Sequence, residues 1–328
     1  MPQDAVPFVE VTRGDRLESL HRGHAVIVDA TGEIRAAWGD PERPIYPRSS
    51  AKMLQALPLA ETFPDLPSER LALACASHSG APMHVERVRG WLTELDLGEA
   101  ALACGPQEPG FREERDRLIR AGEAPTRLHN NCSGKHAGML CQCHHHGWDM
   151  DYVDPDHPLQ RRIKAAIEEE AGEDSPGFGI DGCSAPNFVL SLVGLARAMA
   201  RFATAHQRDD ARSRAATRLR QAMVAHPLLM SGPGRACAEL IEACGDGTAL
   251  KTGAEGVFVA MLPAKGLGIA LKIEDGATRA SEAAIAALLV REGVLDPNHP
   301  LAAKRMSAPI RNFAGQTVGA LRVTGALS

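Results

Sequence analysis

Two strings in this chain contain residues that could catalyse a reaction. The first, near the N-terminus, offers both a nucleophile and a base. Arg48-Ser49-Ser50-Ala51-Lys52 contains a Ser-x-x-Lys pattern. Residues three apart share one face of a helix, so the hydroxyl of Ser49 and the amine of Lys52 can lie side by side. A neutral lysine there could take the serine proton and make Ser49 a nucleophile. Ser50 has the wrong offset, which leaves Ser49 as the better candidate.

The second string, Lys251-Thr252-Gly253, stands just before a strand-like apolar run. Ser-x-x-Lys with a downstream Lys-Thr-Gly is typical of the serine acyl-transfer enzymes that recognise penicillin. Each string alone has an ordinary alternative, a capped helix start or a turn before a strand. Their combination favours convergence at one sheet edge and predicts a serine amidohydrolase.

A third string adds hydroxyl groups after an apolar run, Cys75-Ala76-Ser77-His78-Ser79-Gly80. Acyl transfer needs a group that returns a proton to the leaving amine. A second serine beside a Ser/Lys pair could do this. The alternative is a polar loop that takes no part in the chemistry.

A fourth string, residues 129–136, ends in Cys132-Ser133-Gly134-Lys135-His136. A thiol at a helix N-terminus has a lowered pKa, and Lys135 would lie one turn after Cys132 on the same face. Further along, Asp181 and Cys183 stand in a loop bounded by glycine and proline. Two thiolates and a nitrogen are ligands that suit zinc, although scattered reduced cysteines are the alternative.

Two other cysteine-containing segments are weaker candidates for a site. Cys141-Gln142-Cys143 followed by His144-His145-His146 resembles a metal cluster, but consecutive histidines on a helix point in different directions. We interpret this segment as a polar helix end at the surface. Cys237 begins a predicted helix and could lie near the site, although its spacing does not require it.

Composition narrows the class of protein. The chain has 328 residues, of which 44% are hydrophobic and 23% charged, and its net charge is −5. This charge argues against nucleic-acid and anionic-membrane partners. The start Met1-Pro2-Gln3-Asp4 lacks the basic and apolar regions of an export signal, and no apolar run is long enough to span a membrane. We therefore expect a cytoplasmic protein with reduced cysteines.

The arrangement of elements predicts the fold class. Strands at both ends with helices between them predict an α/β protein of the α+β type, with one antiparallel sheet covered by helices. We expect one domain over residues 1–328, with a mostly helical portion at about 83–245. Residues 205–213 are predicted to be a surface loop. The predicted strands are Phe8–Thr12, Ala25–Asp29, Ile34–Trp38, Gly256–Leu262, Leu267–Ile273 and Val318–Val323. The predicted helices are about Ser49–Glu61, Met83–Leu95, Ser133–His146, Pro158–Ala171, Phe188–Thr204, Arg235–Ala243 and about Arg279–Glu292.

Together these strings resemble the bacterial L-asparaginases of the inducible rhizobial type, the asparaginase II family. The resemblance covers nearly the whole chain. Its most specific parts are Cys-Ser-Gly-Lys-His at residues 132–136 and Lys-Ile-Glu-Asp-Gly at residues 272–276. It implies a fold similar to serine β-lactamases and glutaminases, a homodimer, and hydrolysis of L-asparagine to L-aspartate and ammonia through an acyl-enzyme.

The resemblance also implies roles for individual residues. The two Ser/Lys pairs are Ser49 with Lys52 and Ser77 with Lys251. Zinc is the implied cofactor, and it supports substrate binding. The implied zinc ligands are Cys132, Lys135 and Cys183. Asp181 would suit the α-ammonium group of the substrate, and the other candidates for substrate binding are Arg48, His136 and Cys237.

Two alternatives remain open from the sequence. One is another amidohydrolase of the same architecture, a glutaminase or a β-lactamase-like enzyme. The other is a protein of a different class, a non-catalytic zinc- or ligand-binding protein that uses Cys132 and Cys183. Release of ammonia from asparagine distinguishes the enzyme from the binding protein.

Overall fold

Strands from the two ends of the chain share one sheet, as the apolar patterns near both termini predict. The computed structural model describes residues 4–327. The predicted lack of an export signal depends partly on Met1–Gln3, which lie outside the described residues. The strands are β1 (Val6–Arg13), β2 (Arg16–Asp29), β3 (Ile34–Trp38), β4 (Pro44–Ile45), β5 (Phe178–Ile180), β6 (Pro186–Phe188), β7 (Leu190–Ser191), β8 (Ala249–Thr252), β9 (Val257–Leu262), β10 (Leu267–Ile273), β11 (Pro309–Arg311) and β12 (Thr317–Val323).

The main sheet is antiparallel at every pairing. Within residues 4–327 it has eight strands in the order β11-β12-β1-β2-β10-β9-β8, with β3 paired to β2. Two short pairs, β4 with β7 and β5 with β6, lie outside it. This architecture confirms the predicted fold class.

The helices fill the sequence between the terminal strands. They are α1 (Lys52–Gln55), α2 (Leu57–Thr62), α3 (Ser68–Ala74), α4 (Pro82–Glu94), α5 (Arg112–Ala121), α6 (Ser133–His146), α7 (Pro158–Ala171), α8 (Leu192–Thr204), α9 (Ala211–Ala225), α10 (Pro227–Met230), α11 (Ala236–Cys244), α12 (Thr278–Arg291) and α13 (Pro300–Met306). Among residues 4–327, no helix combines the length and apolar character that crossing a membrane requires.

The chain divides into two compact units, each made of separate segments. The sheet unit comprises Met1–Ser50, Leu190–Thr204 and Glu239–Ser328. The helical unit comprises Ala51–Val189 and Ala205–Ala238. The prediction of a single domain stays a prediction.

The core of the sheet unit lies around β10, where Ile269, Ala270 and Leu271 are all fully buried. Consecutive buried residues on a strand mean that both faces of the sheet are covered. Helix α8 packs on β2, β9 and β10. At Gly268 a Cβ would lie only 2.2 Å from the carbonyl oxygen of Ala196, so glycine permits this close approach.

Several predicted boundaries were wrong, among them the start of the second strand, which was predicted at Ala25 and lies at Arg16. The helix expected from Ser49 to Glu61 is a 3₁₀ helix (Arg48–Ala51) followed by α1 and α2, because Pro58 lacks the N–H that a continuous helix needs. The helix expected from Phe188 begins at Leu192, because the preceding residues pair as β7 with the remote β4. The predicted surface loop contains the start of α9, since the side chain of Asp210 caps that helix by accepting a hydrogen bond from the Ser213 N–H.

Candidate functional site

The Ser49 segment has an unusual backbone. Arg48, the residue before Ser49, has a φ of 53°, a left-handed conformation that is rare outside glycine and is enriched at functional sites. The hydroxyl of the buried Ser50 donates to the carbonyl oxygen of Pro47 at 2.6 Å, whereas Ser49 is only half-buried. The Ser50 hydroxyl therefore already has a partner, and the role of Ser49 as nucleophile stays a prediction.

In the sheet unit, the Lys-Thr-Gly string packs against this segment. Lys251 lies in β8, is fully buried, and donates from Nζ to the carbonyl oxygen of Thr252 at 2.9 Å. A Cβ at Gly253 would lie 2.7 Å from the Pro47 oxygen and 3.4 Å from Ser50 Cβ. Glycine is thus needed here for close approach, and the end of β8 is held beside the residues that carry Ser49.

In the helical unit, the Lys52 amine contacts the main chain next to the Ser77 string and next to the Cys132 string. Lys52 is 1% exposed, and its Nζ donates to the carbonyl oxygen of Ala76 at 2.5 Å. It also lies 3.5 Å from the carbonyl oxygen of Asn131. Since Ser77 follows Ala76 and Cys132 follows Asn131, the amine lies where the serine loop and the cysteine string meet.

The Ser77 loop is fixed by its own main chain. Ser77 is buried and its N–H donates to the Met230 oxygen at 3.0 Å, while the N–H of His78 donates to the Asn131 oxygen at 3.2 Å. The His78 ring lies 2.9 Å from Ser133 Oγ and stacks on His84. Burial holds the pKa of His78 well below its usual range, so this ring stays neutral.

The three predicted zinc ligands converge within the helical unit. Cys132 precedes the first residue of α6, Lys135 lies in its first turn, and Cys183 follows β5. Lys135 Nζ lies 3.1 Å from the sulfur of Cys183, and all three side chains are buried.

The protonation of this cluster is set by its members. A hydrogen bond from the Cys132 thiol lowers the pKa of Cys183, with the Lys135 ammonium also favouring the thiolate, and raises the pKa of Cys132. Burial opposes the charge on Lys135, but the two sulfurs outweigh it and raise the pKa of Lys135. The cluster therefore favours an ammonium–thiolate pair between Lys135 and Cys183.

The donor chemistry of this cluster fits zinc. Cys183 is hydrogen-bonded to both Lys135 and Cys132; thiolates are soft donors and an amine nitrogen is a harder one, and zinc accepts both. Lys135 and Cys132 must release protons before they can bind a metal. Within residues 4–327, no group of three or more His, Cys, Asp or Glu side chains could hold a metal ion. Zinc at the Cys132–Lys135–Cys183 cluster stays a prediction.

The predicted substrate-binding residues occupy different settings. Asp181 begins a tight turn in which its own Oδ1 accepts from the Gly182 N–H at 2.7 Å, and its carboxylate lies near Lys135. His136 is fully buried, with Nδ1 2.8 Å from the Tyr152 hydroxyl. Cys237 is 2% exposed in the first turn of α11. Their roles, and that of Arg48, stay predictions.

Sequence reasoning missed three residues that shape the helical unit's part of the site. The carbonyl oxygen of Asn131 accepts from Lys52 and from the His78 N–H, and its side-chain Oδ1 lies 2.9 Å from the Cys132 sulfur. Ser133 links α6 to His78. Tyr152 holds His136. A doubled asparagine just before a predicted helix was a usable signal for Asn131, whereas Tyr152 had none.

The solved structure of Mglu has the same fold class. Mglu in its glutamate form is 14% identical, with 84% of this chain and 61% of Mglu covered, at a TM-score of 0.50. A β-lactamase from Mycobacterium bovis is 16% identical, with 83% of this chain and 95% of the β-lactamase covered, at a TM-score of 0.45. The chain thus spans about 61% of the length of Mglu, and likeness at this identity concerns the fold alone.

Comparison with protein families gives a more specific result. No curated protein matches the sequence. The family model described as L-asparaginase II matches residues 9–323, nearly the whole chain. The match includes the serine strings, the cysteine cluster and the Lys-Thr-Gly string described above. The chain belongs to the L-asparaginase II family of amidohydrolases.

Proposed function

We propose that this protein is an L-asparaginase that hydrolyses L-asparagine to L-aspartate and ammonia through an acyl-enzyme. Family membership supports the reaction class. The observation that carries the mechanism is the buried Lys52 amine, which lies against the main chain of the Ser77 loop. Ser49 lies in the 3₁₀ helix Arg48–Ala51, and Lys52 follows three residues later in the sequence as the first residue of α1, which is the spacing that the proposed first Ser/Lys pair requires.

The proposed first step forms the acyl-enzyme. Ser49 Oγ attacks the side-chain amide carbon of asparagine, and neutral Lys52 takes the hydroxyl proton. Ser77 and Lys251 pass this proton on to the amide nitrogen as the C–N bond breaks, so the leaving group departs as ammonia and Lys52 is again neutral. Water then cleaves the β-aspartyl ester, its proton returning to Ser49 and its hydroxyl completing aspartate.

Substrate recognition in this proposal uses charged groups. The Asp181 carboxylate suits the α-ammonium group, and the guanidinium of Arg48 suits a carboxylate. His136 and Cys237 are the remaining candidates. Cys132, Lys135 and Cys183 would hold zinc, which would support substrate binding. By its resemblance to the family we also propose a homodimer, which light scattering would detect.

The test compares two neighbouring serines. Purified protein should release ammonia from asparagine, and Ser49→Ala should lower kcat by about 10³-fold or more because the nucleophile is lost. Ser50→Ala should keep most of the activity, at a cost of about 1 kcal/mol of stability from the lost bond to Pro47. Mass spectrometry of trapped enzyme should find the acyl group on Ser49, and an acyl group on another residue would contradict the mechanism.

The alternatives are distinguished by assays with other substrates. Glutamine differs from asparagine by one methylene, which changes pocket fit by only about 1–3 kcal/mol, so the ratio of kcat/KM values must be measured. Hydrolysis of nitrocefin would favour the β-lactamase-like alternative. A folded protein that hydrolyses none of these substrates would be the non-catalytic binding protein.

A further inference from the structure

The Lys-Ile-Glu-Asp-Gly string at residues 272–276 takes no part in the proposed chemistry, yet two buried histidines of β2 contact it. His24 is 2% exposed and its Nε2 lies 3.0 Å from Glu274 Oε1. His21 is 5% exposed and its Nδ1 lies 2.6 Å from Asp275 Oδ2. Each carboxylate of the string is therefore held by one imidazole within the sheet unit.

The other nitrogen of each imidazole is also occupied. The Asp40 N–H donates to His24 Nδ1 at 2.8 Å, and Arg279 Nε donates to His21 Nε2 at 3.0 Å. A ring that accepts at one nitrogen donates at the other, so each neutral histidine donates to its carboxylate. Both rings are thus fixed in orientation.

The neighbouring backbone is shaped to fit His24. Gly39 has a φ of 70°, and a Cβ there would lie 2.3 Å from His24 Nδ1. Arg43 Nη2 adds a second contact to Glu274 at 2.9 Å. Glu274 is therefore held from two sides, by a buried ring and by a guanidinium.

The string in turn holds the loop that follows β8. Lys272 Nζ donates to the carbonyl oxygens of Glu255 at 2.5 Å and Ile273 at 2.6 Å. The Ile273 N–H donates to the Gly256 oxygen at 3.0 Å. The two glycines of this contact have positive φ, 71° at Gly256 and 74° at Gly276, and a Cβ at either would lie 2.8 Å from the opposing segment.

The loop ends at the Lys-Thr-Gly string. The Gly253 N–H donates to the Val257 oxygen at 2.7 Å, which closes the loop over residues 254–256. Gly253 is in turn the residue that packs on Pro47 and Ser50. A continuous series of contacts thus connects the buried histidines to the segment that carries Ser49.

We propose that His24 and Glu274, together with His21 and Asp275, are positioning residues for Lys251. They hold the 272–276 string, which holds the 253–256 loop, and so keep the end of β8 aligned with the Ser49 segment. A misplacement of about 1 Å in a catalytic group can lower a rate by about 10²-fold. This inference rests on the proposed function, because it assigns Lys251 a part in the reaction.

The test removes the Glu274 carboxylate, whose side chain is 39% exposed, so the fold should tolerate the change. Glu274→Ala should lower kcat for asparagine about 10- to 100-fold with KM within about 2-fold of wild type. Hydrogen exchange at residues 253–257 should become faster. Glu274→Gln keeps an acceptor for His24 and should recover most of kcat. Glu33→Ala, which removes an exposed carboxylate of the same unit, is the matched control and should change neither quantity.

A second variant keeps the inference testable if Glu274→Ala fails to fold. Lys272→Met keeps the length of the side chain but loses the donors to Glu255 and Ile273, and it should give the same pattern. Wild-type kcat and wild-type exchange in Glu274→Ala would overturn the inference, as would a lowered Tm with unchanged kcat in the folded enzyme. If wild-type protein hydrolyses no asparagine, the proposed function fails. Exchange at residues 253–257 then decides separately whether Glu274 holds the loop, and unchanged exchange overturns the inference.

Discussion

At the scale of single residues, buried serines differ in what their hydroxyl groups contact. Ser50 donates to Pro47, and Ser133 donates to the Leu128 oxygen at 3.0 Å and contacts His78. Ser79 Oγ, by contrast, is buried without a hydrogen-bond partner among residues 4–327. A Cβ on Gly232 would lie 2.3 Å from that oxygen, which shows how tightly this hydroxyl is enclosed.

We therefore expect Ser79→Ala to leave the unfolding free energy unchanged or raise it by up to about 1 kcal/mol, because it removes a buried group without a partner. Ser133→Ala is the matched control, and it should cost about 1–3 kcal/mol because His78 and Leu128 lose a partner. Urea denaturation of the two variants checks this. A loss in Ser79→Ala as large as that in Ser133→Ala would contradict the expectation.

At the scale of elements, sequence patterns predicted those helices and strands whose ends are determined by residues nearby in the chain. Helix α6 runs from Ser133 to His146 as predicted, because its start and the Gly147 that ends it both have sequence signals. The pairing of β4 with β7 escaped prediction because it joins segments far apart in the chain. The sequence also did not predict which carbonyl oxygens accept from Lys52, because every residue has a carbonyl group and no side-chain pattern singles one out.

The zinc prediction depends on how α6 and the turn after β5 meet. Cys132 stands at the start of α6, and Cys183 lies in the turn. Wild-type protein purified with zinc should retain about one equivalent, and Cys132→Ala or Cys183→Ala should lose it because a thiolate ligand is removed. Elemental analysis measures this. Cys244→Ala, at the end of α11, is the control that should keep the metal, and equal retention in all variants would place zinc elsewhere.

At the scale of the whole molecule, burial of thiols connects stability to pH. Burial raises the pKa of Cys104 to about 11, and of Cys143 and Cys244 to about 12. These groups bind protons more tightly in the folded state than in the unfolded state, where a thiol has a pKa of about 8.5. The stabilisation is complete below that value and is lost as pH rises through the folded pKa.

We expect the unfolding free energy to fall between about pH 8.5 and about pH 11, by up to ~1.4 kcal/mol per pH unit for each buried thiol and by less for Cys244, which is partly exposed. Urea denaturation at several pH values, with a reductant present, measures the slope. Cys244→Ala should make the dependence of the unfolding free energy on pH less steep by the contribution of that one thiol. A slope that is the same in this variant would show that other groups cause the alkaline loss.

The two carbonyl contacts of Lys52 have a consequence for its chemistry. An uncharged amine has two N–H bonds and one lone pair, and the oxygens of Ala76 and Asn131 provide two acceptors. When both N–H bonds donate to those oxygens, the lone pair can point in only one direction. Because main-chain atoms set that direction, we expect exchanges of nearby side chains to leave the lone pair of the proposed base in place, whereas inserting or deleting a residue around positions 76 or 131 would turn it away.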